Sequence, residues 1–196
     1  GRALANRIVD KFGEKAPTII HNQPYRLAEQ ISGVGFRTAD RIARESGIDL
    51  NHPDRADAAV QHLLREAEGQ GHCFLPRREL MERAHTLEIN TEHCESAIAR
   101  LMMSGKLTAP KTIDAESQPL YNPHIERAER QVALRLSDLM LAHNNAPPAS
   151  APMLRAVESK AQLKLNEDQR RAVLTALTGG VTVITGGPGT GKTTIV

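Results

Sequence analysis

The sequence is poor in aromatic residues and in cysteine, and it has no long apolar run. It contains no tryptophan, two tyrosines and three phenylalanines in 196 residues, which argues against a single-strand binder built on stacked aromatic side chains. No apolar stretch approaches the roughly 20 residues that a membrane-spanning helix needs, so we expect no membrane association. The two cysteines, Cys73 and Cys94, are too few for a disulfide framework, which indicates a reducing, cytoplasmic environment.

Charge is unevenly distributed along the chain. The 25 basic and 23 acidic side chains give a formal net charge of +2. Residues 1–50 carry a net charge of +2 and residues 123–196 a net charge of +3, whereas residues 51–122 hold eight basic and eleven acidic side chains. Phosphate backbones attract basic surfaces and repel acidic ones. The middle of the chain is therefore the segment least suited to lie along a nucleic acid.

The first 50 residues contain an internal repeat with an offset of 34 residues. Gly, Ala, Arg and Ile recur at matching positions, with one copy at Gly1, Ala5, Arg7 and Ile8 and the other at Gly35, Ala39, Arg41 and Ile42. The second copy places a glycine turn between two short helices, which we predict over Tyr25–Gln30 and Thr38–Ser46. A period of 34 residues is also typical of tetratricopeptide repeats, but the Trp, Leu-Gly and Pro residues that mark those repeats are absent.

The turn of the second copy, Ile31–Ala39, has the residue types that a phosphate-binding turn needs. Gly33 and Gly35 flank one apolar residue, which allows a tight turn with bare N–H groups at the start of a helix, where the dipole favours an anion. Arg37 adds a positive charge, so we predict Gly33, Gly35 and Arg37 as DNA-binding residues. The pattern resembles the helix-hairpin-helix motif, which binds DNA phosphates without reading sequence; the plainer alternative is an αα-hairpin with a glycine turn.

Residues 51–122 show the element order of a winged helix. The predicted elements are a helix capped by Asp54, an extended segment over 73–75, a helix opened by Pro76, a helix capped by Thr91, and strands over 106–113 and 118–121. In DNA-reading examples the third helix enters the major groove. Here that helix begins with Glu92, His93 and Glu95, and its acids would repel phosphates. A scaffold or protein-contact role, with protein partners, is therefore favoured over DNA reading.

A long helix and a linker connect this module to the last part of the chain. Asn122 and Pro123 mark the start of a helix that we predict to about His143. We predict five apolar residues on its inner face: Ile125, Ala128, Val132, Leu136 and Leu139. Residues 144–152 are rich in Pro, Ala and Asn, which indicates a linker. Residues 123–152 are therefore assigned to the long helix and the linker.

The end of the chain carries a phosphate-binding loop. Val181–Thr185 is β-branched throughout, as in a strand buried on both faces of a parallel sheet, and it leads into a G-x-x-x-x-G-K-[ST] pattern over Gly186–Thr193. In such a Walker A loop the glycine N–H groups face the phosphates, Lys192 reaches the β- and γ-phosphates, and the Thr193 hydroxyl binds Mg²⁺. We predict Lys192 as catalytic, and the nucleotide-binding loop residues as Gly187, Gly189, Thr190, Gly191, Lys192, Thr193 and Thr194.

Gln169 precedes this loop and has two possible roles. It can complete a capping box with Asn166, in which the glutamine side chain returns to the backbone N–H of the N-cap residue. It can also contact the adenine of a bound nucleotide. The two roles are compatible because the cap would fix the direction of the side chain, and we therefore include Gln169 among the nucleotide-binding residues.

The stretch Asn166–Val173, followed after a short gap by the phosphate loop, resembles the Q motif and motif I of superfamily 1 helicases. With the hairpin repeat and the winged-helix pattern, the whole chain is similar to the amino-terminal part of a RecD-like DNA helicase. The resemblance implies an ATP-driven motor that moves 5′ to 3′ on single-stranded DNA and separates the duplex ahead, in DNA repair or recombination. It implies ATP and Mg²⁺ as cofactors, with Gln169 on adenine, Gly189–Thr193 on the phosphates and Thr193 on the magnesium ion.

The predicted fold is mainly α and multi-modular. Helix-hairpin-helix repeats span 1–50, with the first copy incomplete, and a winged-helix-like α+β module spans 51–122. After the long helix and linker, the truncated start of a RecA-like α/β motor domain spans 153–196. The acidic and arginine residues that phosphoryl transfer requires do not follow the loop before Val196. We expect the 196-residue chain by itself to hydrolyse no ATP, and residues 181–196 to be disordered or packed abnormally.

Two other functions remain open. An AAA+-type DNA-remodelling ATPase uses the same kind of phosphate loop, although Gln169 so close upstream favours superfamily 1. Alternatively, the isolated chain is a non-enzymatic DNA-binding module. In each case the expected partner is DNA, single-stranded or at a duplex junction, held through its phosphates.

Overall fold

The computed structural model describes residues 2–111, 114–142, 150–178 and 180–195. Across these residues the chain is mainly helical, with ten α-helices and a two-stranded sheet, which confirms the predicted helical class. Packing divides the chain into two compact units, residues 1–127 (the first unit) and residues 128–196 (the second unit). Within the described part, no helix is both long and apolar enough to cross a bilayer.

The first unit contains seven complete helices and both strands among its described residues. Its helices are α1 (Arg2–Phe12), α2 (Ala16–Asn22), α3 (Tyr25–Gln30), α4 (Phe36–Glu45), α5 (Pro53–Gly69), α6 (Arg77–His85) and α7 (Thr91–Met103). Its strands are β1 (Leu75–Pro76) and β2 (Pro119–Leu120), and a 3-10 helix (Gly13–Lys15) joins α1 to α2. Helix α8 (Pro123–Ala142) starts in this unit. The second unit adds α9 (Ala151–Ala161), α10 (Glu167–Thr178) and a 3-10 helix (Lys192–Thr194).

Two helices of the first unit have caps other than the predicted ones. His52, not Asp54, caps α5, and its Nδ1 accepts from the backbone N–H of Asp54 at 3.2 Å. The proline between them suits the first helical position because its φ is fixed near the helical value. Asn90, not Thr91, caps α7, with its Oδ1 accepting from the N–H of His93 at 2.8 Å. Each cap satisfies an N–H group that the helix leaves without an acceptor.

The sheet pairs different segments from those of the predicted hairpin. β1 pairs antiparallel with β2, with Leu75 opposite Leu120. Between α7 and β2, Thr108 forms an isolated bridge with Tyr121. Apart from this bridge, the described residues 106–111 form no strand, so the predicted strand over 106–113 is wrong there. Residues 112 and 113 lie outside the described part. Pro110 and Pro119 have no backbone N–H group, so they cannot donate the hydrogen bonds that would extend the sheet.

One core cluster holds the glycine-turn hairpin and the middle of the chain together. Buried side chains from α3 and α4, among them Tyr25, Phe36 and Ala39, belong to the same cluster as those of α5, α6 and α7. The members of α5 to α7 with no exposed surface are Ala59, Val60, Leu80, Ala84, Cys94 and Ala97. The predicted segments 1–50 and 51–122 therefore share one core, and the four predicted segments do not coincide with the two compact units.

A smaller cluster fixes the first two helices to the hairpin. Its buried members are Ile8, Ala16, Ile19, Leu27, Ile31 and Val34. Val34, the apolar residue between the two turn glycines, is buried in this cluster, while Gly33 and Gly35 are exposed. The burial of Val34 therefore anchors the turn with its backbone facing solvent.

A buried ion pair joins the hairpin to the middle of the chain. The Arg55 side chain is 1% exposed, and its Nε donates to Asp40 Oδ1 at 2.8 Å. Its terminal nitrogens donate to two backbone carbonyls after α6, Leu87 O at 2.9 Å and Glu88 O at 3.1 Å. They also donate to Leu50 O and to Asp40 Oδ2, each at 3.4 Å. The Tyr25 hydroxyl also donates to Asp40 Oδ1, at 2.8 Å. The hairpin helices α3 and α4, helix α5 and the segment after α6 thus meet at one carboxylate and one guanidinium.

The ion pair changes the pKa values of its neighbours. Burial alone would raise the pKa of the Asp40 carboxyl, but hydrogen bonds from Arg55 and Tyr25 and the charges of Arg55 and Arg44 outweigh it, and the pKa lies below its ordinary 3.8. Burial and the bond to Asp40 raise the pKa of the Tyr25 hydroxyl, which therefore stays protonated as a donor. Asp40 is thus a carboxylate at neutral pH, matched by a permanent cation.

Several apolar side chains of α8 are exposed. The prediction placed five of them on an inner face, but Val132, Leu136 and Leu139 have 58%, 42% and 54% of their surface exposed. The helix itself begins at Pro123 as predicted, and the predicted end at residue 143 lies outside the described part. The burial prediction is wrong because helical spacing records which residues share a face and not what covers that face.

Helix α9 replaces the end of the predicted linker. Residues 143–149 lie outside the described part. Ser150 Oγ accepts from the N–H of Met153 at 3.4 Å and caps α9, and Pro152 lies in its first turn. A proline is tolerated there because the missing N–H would have had no helical acceptor. The linker prediction is therefore wrong for residues 150–152.

Removing the partner of Asp40 is expected to destabilise the first unit strongly. Arg55→Ala should lower the free energy of unfolding by about 3 to 5 kcal/mol because it leaves a buried carboxylate unpaired. Tyr25→Phe should cost about 1.5 to 3 kcal/mol, the value of one hydrogen bond to a charged group. Arg78→Ala, which removes an exposed i,i+4 pair with Glu82, is the matched control. Urea unfolding measures all three, and an Arg55→Ala loss no larger than that of the control would contradict the expectation.

The same pair predicts acid sensitivity. A carboxyl whose folded-state pKa is depressed adds stability that is complete above its unfolded pKa and is lost as the pH falls through the folded pKa. We therefore expect the difference in unfolding free energy between the wild type and Asp40→Asn to be constant near neutral pH and to shrink below about pH 4. A difference that persists undiminished under acid conditions would show that the charge of Asp40 is not what stabilises the fold.

Candidate nucleotide and nucleic-acid sites

The start of α10 is a complete capping box. Asn166 Oδ1 accepts from the backbone N–H of Gln169 at 2.9 Å, and Gln169 Oε1 accepts from the backbone N–H of Asn166 at 2.9 Å. This confirms the reciprocal cap that the sequence pattern predicts. Because the cap uses Oε1, the amide nitrogen Nε2 of Gln169 is available for a contact outside the cap.

That amide nitrogen points at the phosphate loop. Gln169 Nε2 donates to Thr190 O at 3.3 Å, across 21 residues of sequence. A Cβ on Gly191 would lie 2.5 Å from the same nitrogen, so no larger residue fits at 191 while Gln169 keeps this position. The structure therefore brings together two predicted nucleotide-binding regions that are distant in sequence.

Within the loop, Lys192 is held by backbone carbonyls. Its Nζ donates to Gly186 O at 2.5 Å and to Gly187 O at 2.7 Å, and the loop closes further through Thr190 Oγ1, which donates to Gly187 O at 2.9 Å. Gly189 has a φ of +76°, in the left-handed region that favours glycine. The loop is thus curled around the ammonium group that the sequence assigns to phosphate binding.

The strand predicted before the loop is not formed. Residues 182–187 have no regular secondary structure, and the last described residues form only the short 3-10 helix Lys192–Thr194. A strand needs neighbouring strands to satisfy its backbone groups, and the described part of the second unit contains none. The strand prediction for Val181–Thr185 is therefore wrong in this structure, whereas the loop keeps its turn glycines.

The start of α10 and the loop line a cleft of about 640 Å³. Its wall includes three predicted residues, Gln169, Thr190 and Lys192. The predicted loop residues outside the wall are Gly187, Gly189, Gly191, Thr193 and Thr194. The hydroxyl-bearing side chains of Thr193 and Thr194 are exposed. An amide, an ammonium group and glycine backbone on one cleft fit a nucleotide and its phosphates.

Glu158 positions the start of α10, and sequence reasoning missed it. This carboxylate is 8% exposed and accepts from Arg170, with Nε and Nη2 each 3.1 Å from one of its oxygens. It also accepts from the N–H of Leu165 at 2.9 Å. The hydrogen bonds from Arg170 first, and that from Leu165 second, lower the pKa of Glu158. The connection that carries the capping box is therefore fixed to α9 by a permanent negative charge.

The glycine turn of the hairpin lies at the start of α4. Gly33 has a φ of +79°, which only glycine adopts at low cost, and Val34 N–H donates to Ile31 O at 3.1 Å to close the turn. Gly35 is the N-cap of α4 and brings no side-chain acceptor. Within the described part of the chain, the N–H groups of the first two residues of α4 have no hydrogen-bond acceptor. Exposed backbone donors thus stand where the sequence predicts a phosphate.

The arginine side chains of α4 and α5 differ in whether they are paired with carboxylates. Arg44 and Arg55 are paired with carboxylates. Arg37, in the first turn of α4, is exposed and has no carboxylate partner among the described residues. Of the three predicted DNA-binding residues, Gly33 and Gly35 shape the turn and Arg37 leaves a charge available beside it.

Loss of the Glu158 carboxylate is expected to loosen the start of α10. Glu158→Gln replaces an ionic acceptor by a weaker neutral one, so amide hydrogen exchange at Leu165 and Gln169 should become severalfold faster. Glu167→Gln is the matched control, since it also removes a charge near Arg170 but from a side chain that is 94% exposed. Equal exchange rates in the two variants would mean that Glu158 does not fix this connection.

Comparison with known proteins gives matches at both the domain and the chain level. A family model described as the ATP-dependent RecD2 DNA helicase HHH domain matches residues 1–74. The ATP-dependent RecD2 DNA helicase of Deinococcus radiodurans is 33% identical over 202 residues, covering 97% of this chain and 27% of that protein. The RecBCD enzyme subunit RecD from two strains of Mycobacterium tuberculosis is 44% identical over 171 residues, covering 87% of this chain and 26% of that protein.

The chain thus spans about a quarter of the length of these relatives. The matched HHH domain contains the whole glycine-turn hairpin and extends through α5. The similarity to the relatives extends over most of the chain. Residues 1–74 thus match the HHH domain of RecD2 helicases, and the chain is similar over most of its length to RecD-type helicase sequences.

Proposed function

We propose that the chain is part of an ATP-dependent DNA helicase that moves 5′ to 3′ on single-stranded DNA in DNA repair or recombination. The observation that carries this proposal is the meeting of Gln169 and the phosphate loop on one cleft. A capping box fixes one end of the glutamine amide and directs the other at the loop. The relatives, one named as an ATP-dependent DNA helicase and the other as a RecBCD enzyme subunit, support the same function.

The proposed nucleotide site takes ATP and Mg²⁺. Gln169 would hold the adenine through its amide, the loop glycines and Thr190 would surround the phosphates, and Thr193 would bind the magnesium ion. Lys192 now donates to two loop carbonyls, and we propose that it exchanges these acceptors for phosphate oxygens, which as anions accept more strongly. Hydrolysis of ATP supplies the energy for movement along DNA.

The proposed DNA contact is the glycine turn of the hairpin. The uncapped N–H groups at the start of α4 and the unpaired charge of Arg37 suit a phosphate of the backbone, single-stranded or at a duplex junction. Such contacts carry no base information, which agrees with a motor that must bind every sequence it crosses. We propose Gly33, Gly35 and Arg37 as the residues that make this contact.

The middle of the chain is proposed as a scaffold for protein contacts. In α7 the acidic residue Glu95 is paired with Arg77, and Glu92 is exposed, so the start of this helix presents carboxylates that would repel a phosphate. The winged-helix assignment, the start of a RecA-like domain and a cytoplasmic location remain proposals of the same kind. We also propose that the 196-residue chain alone binds ATP but does not hydrolyse it.

Nucleotide binding is expected to depend on two side chains in different ways. Lys192→Ala should abolish binding of a fluorescent ATP analogue by the 196-residue chain, because the phosphates lose their cation. Gln169→Ala should weaken ATP binding and remove any preference for ATP over GTP. Lys160→Ala and Gln131→Ala, at exposed positions outside the cleft, are the matched controls. Binding that survives in Lys192→Ala would contradict the site.

Helicase activity is tested in the full-length protein. ATP-dependent unwinding should occur on duplexes with a 5′ tail and not on those with a 3′ tail, and Lys192→Ala should abolish it. Unwinding from the 3′ tail would contradict the proposed direction. DNA-stimulated ATP hydrolysis without unwinding would favour a remodelling ATPase of the AAA+ type.

A further inference from the structure

Arg7 of α1 lies against the turn of the hairpin. One of its terminal nitrogens, Nη1, donates to the carbonyl oxygen of Ser32, 25 residues away, and its Nε donates to Ala3 O at 3.4 Å. The guanidinium is therefore held from both sides, by its own helix and by the turn. An arginine from the first sequence repeat thus lies on the glycine turn of the second.

The turn glycine makes room for this arginine. A Cβ on Gly33 would lie 3.0 Å from Arg7 Nη1, which is closer than carbon and nitrogen atoms normally approach without a bond. Glycine at 33 is already required by its φ of +79°. Because Gly33 has no side chain, the guanidinium of Arg7 can also contact the backbone of the turn.

The charge of Arg7 is uncompensated. No carboxylate pairs with it among the described residues, and its side chain is exposed. A guanidinium has five N–H donors, and two of its nitrogens are engaged with Ser32 and Ala3. The second terminal nitrogen, Nη2, has no acceptor within the described part of the chain, so Arg7 keeps donors and a full positive charge at the turn.

We propose that Arg7 is a DNA phosphate-binding residue that acts together with the hairpin. The phosphate site is then composite: the backbone N–H groups at the start of α4 and Arg37 come from one repeat, and the guanidinium of Arg7 comes from the other. The ligand is a phosphodiester of a nucleic-acid backbone, to which a guanidinium can donate two parallel hydrogen bonds. This inference rests on the proposed DNA binding by the hairpin.

Salt-dependent DNA binding by the 196-residue chain tests the role of Arg7. With a labelled duplex bearing a single-stranded tail, Arg7→Gln should lower affinity roughly three- to tenfold and reduce the slope of log affinity against log salt by about one. Arg37→Gln should do the same. Arg2→Gln removes the same charge from the same helix away from the turn and should change neither quantity.

Three results would overturn the inference. If Arg37→Gln lowers affinity and salt slope but Arg7→Gln does neither, the hairpin binds DNA without Arg7 and only this inference fails. If neither variant changes binding, the proposed DNA contact fails with it. If Arg7→Gln lowers the thermal unfolding midpoint and the affinity but leaves the salt slope unchanged, Arg7 only ties α1 to the turn. A partial recovery of affinity and full recovery of slope in Arg7→Lys would support phosphate binding, since lysine keeps the charge without the planar fork.

Discussion

The buried ion pair between Arg55 and Asp40 is the constraint on which the first unit depends. A guanidinium that is 1% exposed requires an acceptor for each donor, and the acceptors come from α4, from Leu50 before α5 and from the chain after α6. Apolar contacts are not directional, whereas these bonds allow little freedom in the relative position of the elements. The exposed glycine turn therefore has a defined position relative to α5, because the turn leads directly into α4, which carries Asp40.

Local features of the fold could be predicted from the sequence, and nonlocal ones could not. Helix α3 has the predicted ends, Tyr25–Gln30, since adjacent residues set them. The role of Arg55 left no local signal: arginine is mostly exposed in proteins, and its partner is 15 residues away. The cap at His52 is not predicted by the sequence pattern because Asp54 is the more common type of capping residue, although Pro53 suits the first helical position.

The candidate site divides in the same way. The capping box of Gln169 follows from a spacing of three residues, so a local pattern predicts it. The role of Glu158 depends on its bonds to Leu165 and Arg170, which no local spacing indicates. The strand at Val181–Thr185 was predicted from its β-branched residues. β-Branched residues favour a strand, but a strand forms only where neighbouring strands are present to pair with it.

The core shared by the hairpin and the middle of the chain has a mechanical consequence. Two modules joined by a flexible linker would move independently, and a pull on one would be absorbed in the linker. Here α3 and α4 pack against α5 in one continuous core cluster, so no flexible linker separates the hairpin from α5. A force on a ligand bound at the glycine turn would therefore act on α5 and α7 as well, because the hairpin and the middle of the chain share one core.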